Sequence, residues 1–318
     1  MVRWGIIGCG DVTEVKSGPA FQLANDSSLT MVMRRNAALC EDYARRHSVP
    51  RWTTNARELI ESNEVDAVYV ATPPSSHMDY ALAVLTAGKP VYVEKPMAMN
   101  HAECLKMIQA AKETGIPAFV AYYRRRLPYF LKIKSLIDEG AIGDIRSVRV
   151  SFSNNVGPSI DAWRLNPAIA GGGLLLDVGS HTLDILDYLV RPIVSVKSHA
   201  ANLIGRAAVE DTVCASWQFA NGALGVGYWR FDNTIDEDDI WIEGSEGSIR
   251  CATFTPVPIL LKYKDGSQEQ YELEYPKHVQ LPMIQHVTNC LHNLEQPVST
   301  FETAARTSWV IEQMLSGV

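Results

Sequence analysis

No apolar run in this sequence approaches the roughly 20 residues a membrane span requires, so no spanning helix is expected. A positively charged leader followed by a long apolar stretch is also missing. Met1-Val-Arg-Trp-Gly-Ile-Ile enters a strand at once, no signal peptide is read there, and a soluble, cytoplasmic protein is expected. Positive charge is not in excess: the formal net charge of -7 argues against an intrinsic affinity for nucleic acid or anionic membrane. Arg124-Arg125-Arg126 is too short a run to track a polyphosphate. No CxxC pair occurs among Cys9, Cys40, Cys104, Cys214, Cys251 and Cys290, which lie far apart in the sequence. Reduced, incidental buried thiols are expected, and metal binding is not. Repeats and low-complexity tracts are absent too. What remains is an ordinary globular composition, 47% hydrophobic over 318 residues, enough for two domains that share a cleft.

The first third alternates strand and helix patterns. Strands are predicted at Arg3–Ile7, Ser28–Met33, Val65–Ala71, Pro90–Val93 and Ala118–Ala121. Helices are predicted near Val12–Leu23, Ala37–His47, His77–Ala87 and Ala102–Thr114. Repeated β-α-β units with short links imply a doubly wound parallel sheet, an α/β Rossmann domain over 1–122, with its ligand site at the carboxyl ends of the strands. From 123 to 318 strand follows strand: Ile145–Phe152, Ile193–Ala200, Thr212–Phe219, Leu224–Phe231, Asp239–Glu243, Ser248–Cys251 and Ile259–Tyr263. Turn pairs such as Asn221-Gly222, Glu246-Gly247 and Asp265-Gly266 separate several of them. The expectation is an α+β domain with a largely antiparallel open sheet, for substrate binding and oligomerisation. A helix over Leu174–Leu189 interrupts it, and a C-terminal helix over Ala304–Leu315 packs back on the first domain.

Gly8-Cys9-Gly10-Asp11-Val12-Thr13 joins the first strand to the first helix. Gly8 permits the tight turn, Gly10 lets the backbone approach a pyrophosphate, and the amides of Asp11, Val12 and Thr13 open the helix toward the anion. Thr13 stands where the fingerprint has Gly or Ala. At the end of the second strand a dinucleotide fold reads the adenosine ribose; a carboxylate there accepts the 2′-hydroxyl and repels a 2′-phosphate. This strand ends instead in Arg34-Arg35, whose guanidiniums favour a phosphate. NADP is therefore expected over NAD, the alternative being a solvated arginine pair.

Three further segments resemble the Gfo/Idh/MocA family of oxidoreductases over essentially the whole chain. They are Glu94-Lys95-Pro96 within Gly88–Ala98, the loop Ala71-Thr72-Pro73-Pro74-Ser75-Ser76-His77, and Gly171-Gly172-Gly173 followed by Asp177–Asp184. The resemblance implies that Lys95 contacts the reacting oxygen and that Glu94 helps hold the cofactor end of the site. It also implies that Thr72, Pro73 and His77 lie near the nicotinamide half, although Pro74 departs from the asparagine common there. A matching aspartate-histidine pair is Asp177 and His181, with Tyr123 at a substrate contact where asparagine or histidine is usual. Trp163 and Arg164 correspond to a pair lining the substrate pocket; an arginine stacked on an aromatic ring in a loop fits those two residues equally.

The chemistry stands without the resemblance. Oxidising a secondary alcohol needs a base for the hydroxyl proton, and reducing a carbonyl needs an acid in the same place. A lysine at the carboxyl end of a strand, beside a cationic ring and partly desolvated, suits that task; the alternative is a lysine that caps a buried strand. Asp177 and His181, four apart on a helix, share a face, so the carboxylate can orient the imidazole, with Asp184 near the same face. The expected activity is NADP-dependent hydride transfer to or from a sugar, polyol, diol or related hydroxy-carbonyl compound. Two alternatives are a glycoside hydrolase that uses a bound nicotinamide without net redox change and a non-catalytic NADP-binding sensor. An open apolar sheet face would call for a homodimer or homotetramer.

Overall fold

Six short strands build the first sheet: β1 (Val2–Ile7), β2 (Ser27–Met33), β3 (Arg51–Thr53), β4 (Ala67–Val70), β5 (Val91–Val93) and β6 (Ala118–Val120). All pair in parallel, in the order β3-β2-β1-β4-β5-β6. A parallel sheet is covered on both faces, which is why every residue of β4 and β5 is buried. The helices that cover it are α1 (Asp11–Val15), α2 (Gly18–Leu23), α3 (Ala37–Arg46), α4 (Ala56–Glu61), α5 (His77–Thr86) and α6 (His101–Thr114). Strand order reverses on either side of β1, so the crevice of a doubly wound sheet opens at the ends of β1 and β4. Gly8 and the Thr72 loop lie there. The single helix expected over Val12–Leu23 is two, because Gly18-Pro19 restarts the chain and proline supplies no N–H to continue α1. β3 and α4 are too short to leave a readable period.

The second sheet follows α7 (Pro128–Asp138) and has eight strands: β7 (Ile145–Asn154), β8 (Ile193–Ala201), β9 (Thr212–Phe219), β10 (Leu224–Phe231), β11 (Glu237–Gly244), β12 (Gly247–Cys251), β13 (Ile259–Tyr263) and β14 (Gln268–Tyr271). Their order is β14-β13-β12-β11-β7-β10-β9-β8, with only β7 and β10 parallel. Between β7 and β8 lie a short helix α8 (Pro167–Ala170), a π-helical turn over Leu175–Gly179, and α9 (Ser180–Leu189). One face of this sheet carries Val213, Ala215, Trp217, Trp229, Ile240 and Ile242, all buried. The opposite face corrects the expectation of an apolar surface. It shows Ser216, Gln218, Arg149 and Glu243 beside Trp241, over which Arg149, Arg250 and Lys262 lie within 5.7 Å. Leu224 and Val226 are its exposed aliphatic residues, at 61% and 54%.

The chain ends in α10 (Leu281–Leu291) and α11 (Phe301–Leu315). The computed structural model describes residues 1–154, 162–205, 207–231 and 235–316. It divides into Met1–Leu127 with Pro276–Ala305, and Pro128–Tyr275 with Arg306–Val318. The segment Pro276–Ala305 therefore belongs to the first unit, not to a second domain running unbroken from 123. Val120 N donates to Ser299 O at 3.1 Å and Arg125 Nη1 to Val298 O at 2.7 Å, and Phe301, Ala304 and Ala305 join the core around β4 and β5. Beyond that point α11 belongs to the second unit: Arg306 grips Asp187 at 2.8 and 2.5 Å. Among the described residues no helix is long and apolar enough to cross a membrane.

Candidate active site

The phosphate turn is built by three glycines, one of them not legible in the motif. Gly8 has φ 93°, and a Cβ on it would stand 2.7 Å from Thr72 Cγ2 and 3.0 Å from the Ala71 carbonyl. Only glycine lets the end of β1 pass the Thr72 loop so closely. The amides of Gly8 and Cys9 both donate to Met33 O, at 2.8 and 3.3 Å. A Cβ on Gly10 would meet nothing nearer than Gly8 O at 3.9 Å, so its Cα faces the room that a dinucleotide backbone needs. Thr13 is fully buried; its hydroxyl donates to Gly10 O at 2.7 Å and its carbonyl accepts the Tyr43 hydroxyl at 3.0 Å. Its departure from the fingerprint is made good by Gly18, where a Cβ would lie 2.2 Å from Thr13 O and 2.1 Å from Tyr43 Oη. Close packing has moved from the third fingerprint position to the start of α2. Asp11 is exposed and Val12 half-buried. Glu14 takes Arg46 at 2.7 and 2.8 Å and His47 at 2.9 Å, and the Arg46 guanidinium holds its carboxyl down at about 2. That anchors α1 to α3.

At the end of β2, Arg34 N donates to Thr53 O at 3.3 Å and its Nη1 to Cys9 O at 3.2 Å. The half-buried guanidinium thus leans on the phosphate turn, while Arg35 is exposed. Two of the scattered cysteines do meet here: Cys9 Sγ and Cys40 Sγ are 3.9 Å apart. Their hydrogen bond holds the Cys40 thiol below its usual value and pushes that of Cys9 well up.

The Thr72 and Lys95 loops are joined by His77. Its ring is fully buried, with Nε2 2.7 Å from Thr72 O and Nδ1 2.9 Å from Pro96 O. Burial pushes the imidazole below its ordinary value against the pull of those carbonyls. The ring thus sits between the two loops. Thr72 Oγ1 accepts the Ser76 hydroxyl at 2.8 Å, and Pro73 precedes the helical turn Pro74–Ser76. Glu94 also turns inward, only 6% exposed. Its Oε1 accepts from the Tyr69 hydroxyl and from Gln280 Nε2 at 2.6 Å, and its Oε2 from the Lys95 backbone N–H at 3.0 Å. Burial first, and the Glu94 charge second, push the Tyr69 and Tyr92 phenols well above their usual value, so both stay donors. Lys95 itself is half-buried. Tyr123 is buried with the Arg124 guanidinium 5.0 Å over its ring.

In the second unit, Arg164 stacks on Trp163 at 4.5 Å and its Nε lies 3.4 Å from Asp177 Oδ2. The arginine is held between a ring and a carboxylate. Asp177 sits in the π-helical turn, a widened geometry frequent at functional sites. A Cβ on Gly173 would stand 2.6 Å from Glu210 Oε1, so a larger residue there would displace the Glu210 carboxylate. Glu210 accepts the Leu175 N–H at 3.2 Å, and burial pushes its carboxyl above the ordinary range. His181 is buried with the Phe254 ring edge-on at 5.7 Å. Asp238 places that ring by accepting the N–H groups of Thr253, Phe254 and Thr255 at 2.8, 2.6 and 2.9 Å. Asp184 accepts the Thr307 hydroxyl at 3.4 Å. Glu210, Asp238, Phe254 and Gln280 left no motif in the sequence. Gln280 came nearest, since Leu281-Pro282 marks a helix start. Among the described residues no His, Cys, Asp and Glu cluster could hold a metal.

Residues 2–122 match the model of an oxidoreductase family with an NAD-binding Rossmann fold, and residues 130–250 the C-terminal domain model of the same GFO/IDH/MocA proteins. The chain is 39% identical to Oxidoreductase P35 of Formosa agariphila over 96% of each protein. It is 31% identical to the 1,5-anhydro-D-fructose reductase of Ensifer adhaerens over 78% of this chain and 75% of that one. Levoglucosan dehydrogenase, solved with NADH and levoglucosan, shares the fold with TM-score 0.89 at 24% identity, covering 99% of this chain and 96% of the other. The phosphate turn, the Lys95 loop and the mixed second sheet are those of a Gfo/Idh/MocA oxidoreductase, the NAD(P)-binding family to which this chain belongs.

Proposed function

We propose that the protein is an NADP-preferring oxidoreductase that moves a hydride between nicotinamide and a sugar, polyol or related hydroxy-carbonyl compound. One observation carries the reading: the phosphate turn, the Thr72 loop and the Lys95 loop are a single piece, joined by the Gly8–Thr72 contact and by His77 between Thr72 O and Pro96 O. Whatever dinucleotide the turn holds is then registered against Lys95. Gly8, Gly10 and the amides of Asp11, Val12 and Thr13 would take the pyrophosphate, Arg34 and Arg35 the 2′-phosphate, and Thr72, Pro73 and Glu94 the shape of the nicotinamide end. When bound, the nicotinamide supplies or takes the hydride. Lys95 and His181 move the proton of the reacting oxygen, Asp177 supports His181, and Tyr123, Trp163 and Arg164 orient the substrate. The sugar class draws support from the reductase of Ensifer adhaerens, whose name gives 1,5-anhydro-D-fructose as its substrate.

A panel of sugars, polyols, inositols and diols with NADP and NAD, run in both directions, tests this. Turnover of at least one such compound, faster with NADP, is expected. NADPH fluorescence that does not change on mixing with the protein would sink the cofactor assignment. The same preparation should scatter light as a homodimer or homotetramer, the open face around Trp241, Leu224 and Val226 being the surface proposed for assembly; a mass of one chain at all concentrations rejects that assembly.

A further inference from the structure

Gln280 is fully buried and its amide works in two directions. Oε1 accepts the Tyr92 hydroxyl at 3.3 Å, and Nε2 donates to Glu94 Oε1 at 2.6 Å. Glu94 Oε1 also accepts the Tyr69 hydroxyl, which fixes the amide this way round, since the reversed amide would set oxygen against oxygen. Glu94 holds the Lys95 backbone N–H with its other oxygen, at 3.0 Å. The backbone at Gln280 is engaged as well: its N–H donates to Lys16 O at 3.2 Å, and His278 Nδ1 bonds Val15 O at 2.5 Å. Residues 278–280 therefore clasp the end of α1, immediately after the phosphate turn, and reach the Lys95 loop through one amide. Burying an amide is unfavourable unless both its ends are bonded. Here each end is bonded, to Tyr92 and to Glu94. The segment arrives from the far end of the chain, 186 residues from Glu94.

We propose that Gln280 is a positioning residue for proton transfer at Lys95. It aims the Glu94 carboxylate at the Lys95 backbone amide and ties that amide to the α1 end of the phosphate turn. Dinucleotide and lysine are thereby held in one frame. Gln280 acts through Glu94, so its loss appears in the chemical step and in the titration of the lysine, while binding is spared. Misplacement of a catalytic group by about 1 Å is enough to slow a reaction roughly a hundredfold. The inference rests on the reading of Lys95 as the proton-transfer residue.

The full-length Gln280→Met, Gln280→Glu and Lys95→Ala variants test it together. Three quantities are read: kcat on the best substrate of the panel, the Kd for NADPH by fluorescence, and acetylation of Lys95 by dilute acetic anhydride across pH. Acetylation, followed by peptide mass spectrometry, reads the titration of the amine with no turnover involved. For Gln280→Met, kcat is expected to fall about ten- to hundredfold, the worth of a hydrogen bond to a charged group. The NADPH Kd should change less than about threefold, and the Lys95 labelling midpoint should move by at least about half a pH unit. Gln280→Glu keeps the size and donates to Glu94 only when protonated, so its kcat relative to the unaltered protein should climb as pH falls. It carries the test if the Met variant does not fold. Unchanged kcat and labelling in Gln280→Met overturn the proposal, as does a ratio for Gln280→Glu that is flat in pH. An active Lys95→Ala enzyme overturns instead the reading on which it rests; an inactive one beside an unaffected Gln280→Met leaves that reading standing.

Discussion

Lys95→Ala is expected to lower kcat by about a thousandfold or more while leaving NADPH binding within about threefold. A positioned general acid or base contributes roughly a hundred- to ten-thousandfold, and proton transfer at a hydroxyl or carbonyl cannot be bypassed when hydride moves. Binding is expected to survive because the loop is held through its backbone. Its backbone N–H is what Glu94 holds, and Glu94 is fixed by Tyr69 and Gln280 from below. His77 fixes the other side of the loop through Pro96 O. Truncation to Ala removes the amine and leaves in place the backbone N–H that Glu94 holds. Steady-state kinetics with a fluorescence titration of NADPH separate the two effects, and partial recovery of turnover on adding a small primary amine would identify the missing group. Turnover within tenfold of the unaltered enzyme would remove Lys95 from the chemistry and leave it as the cap of a buried strand. A loss of turnover matched by an equal loss of NADPH affinity would make it a binding residue.

Sequence reading located those parts of the site whose signal is local. The Gly8 turn, the Arg34-Arg35 strand end and the Glu94-Lys95-Pro96 loop each follow a short strand that ends in consecutive buried apolar residues, Ile6-Ile7, Met31-Val32-Met33 and Val91-Tyr92-Val93, which is how parallel strands covered on both faces read. In β9 and β10 the alternation of buried and exposed residues is just as plain, and their ends fall where the pattern puts them. Contacts that close over long stretches of chain were out of reach. Gln280 meets Glu94 only because the chain returns to the first unit at Pro276. Glu210 reaches Leu175, and Asp238 reaches the loop after β12, through backbone N–H groups, which any sequence supplies. His77 is a related case. Its place in the motif marks it as important, but the two carbonyls around its ring come from separate loops and leave no local signal. Thr13 was the converse, an imperfection in the fingerprint that Gly18 repairs five positions later.

Arg34→Asp is expected to reverse the cofactor preference, shifting the NADP-to-NAD ratio of kcat/KM by about a hundred- to ten-thousandfold. Two contributions add. Loss of a guanidinium bonded to a phosphate removes a charge-assisted hydrogen bond of about 1.5–3 kcal/mol, or about ten- to a hundredfold against NADP. The new carboxylate repels the 2′-phosphate and accepts the ribose 2′-hydroxyl, which favours NAD by a further factor of similar size. The turn itself should persist, since Gly8 and Cys9 hold Met33 O through their own amides and the backbone N–H of residue 34 still bonds Thr53 O. What is lost is the brace from Nη1 to Cys9 O, so a modest rise in KM for NAD accompanies the switch. Arg35 is exposed, and Arg35→Ala should cost NADP less than about tenfold, because a charge in water is screened. Salt gives a second reading: raising ionic strength should weaken NADP binding more than NAD binding in the unaltered protein, and in Arg34→Asp this difference should vanish or reverse, because salt then screens the repulsion between the carboxylate and the 2′-phosphate. Kinetics with each cofactor at two salt concentrations measure all of this. A ratio that Arg34→Asp leaves unchanged would mean that the pair at the end of β2 is a solvated surface feature, and that the choice between cofactors is made elsewhere along the crevice.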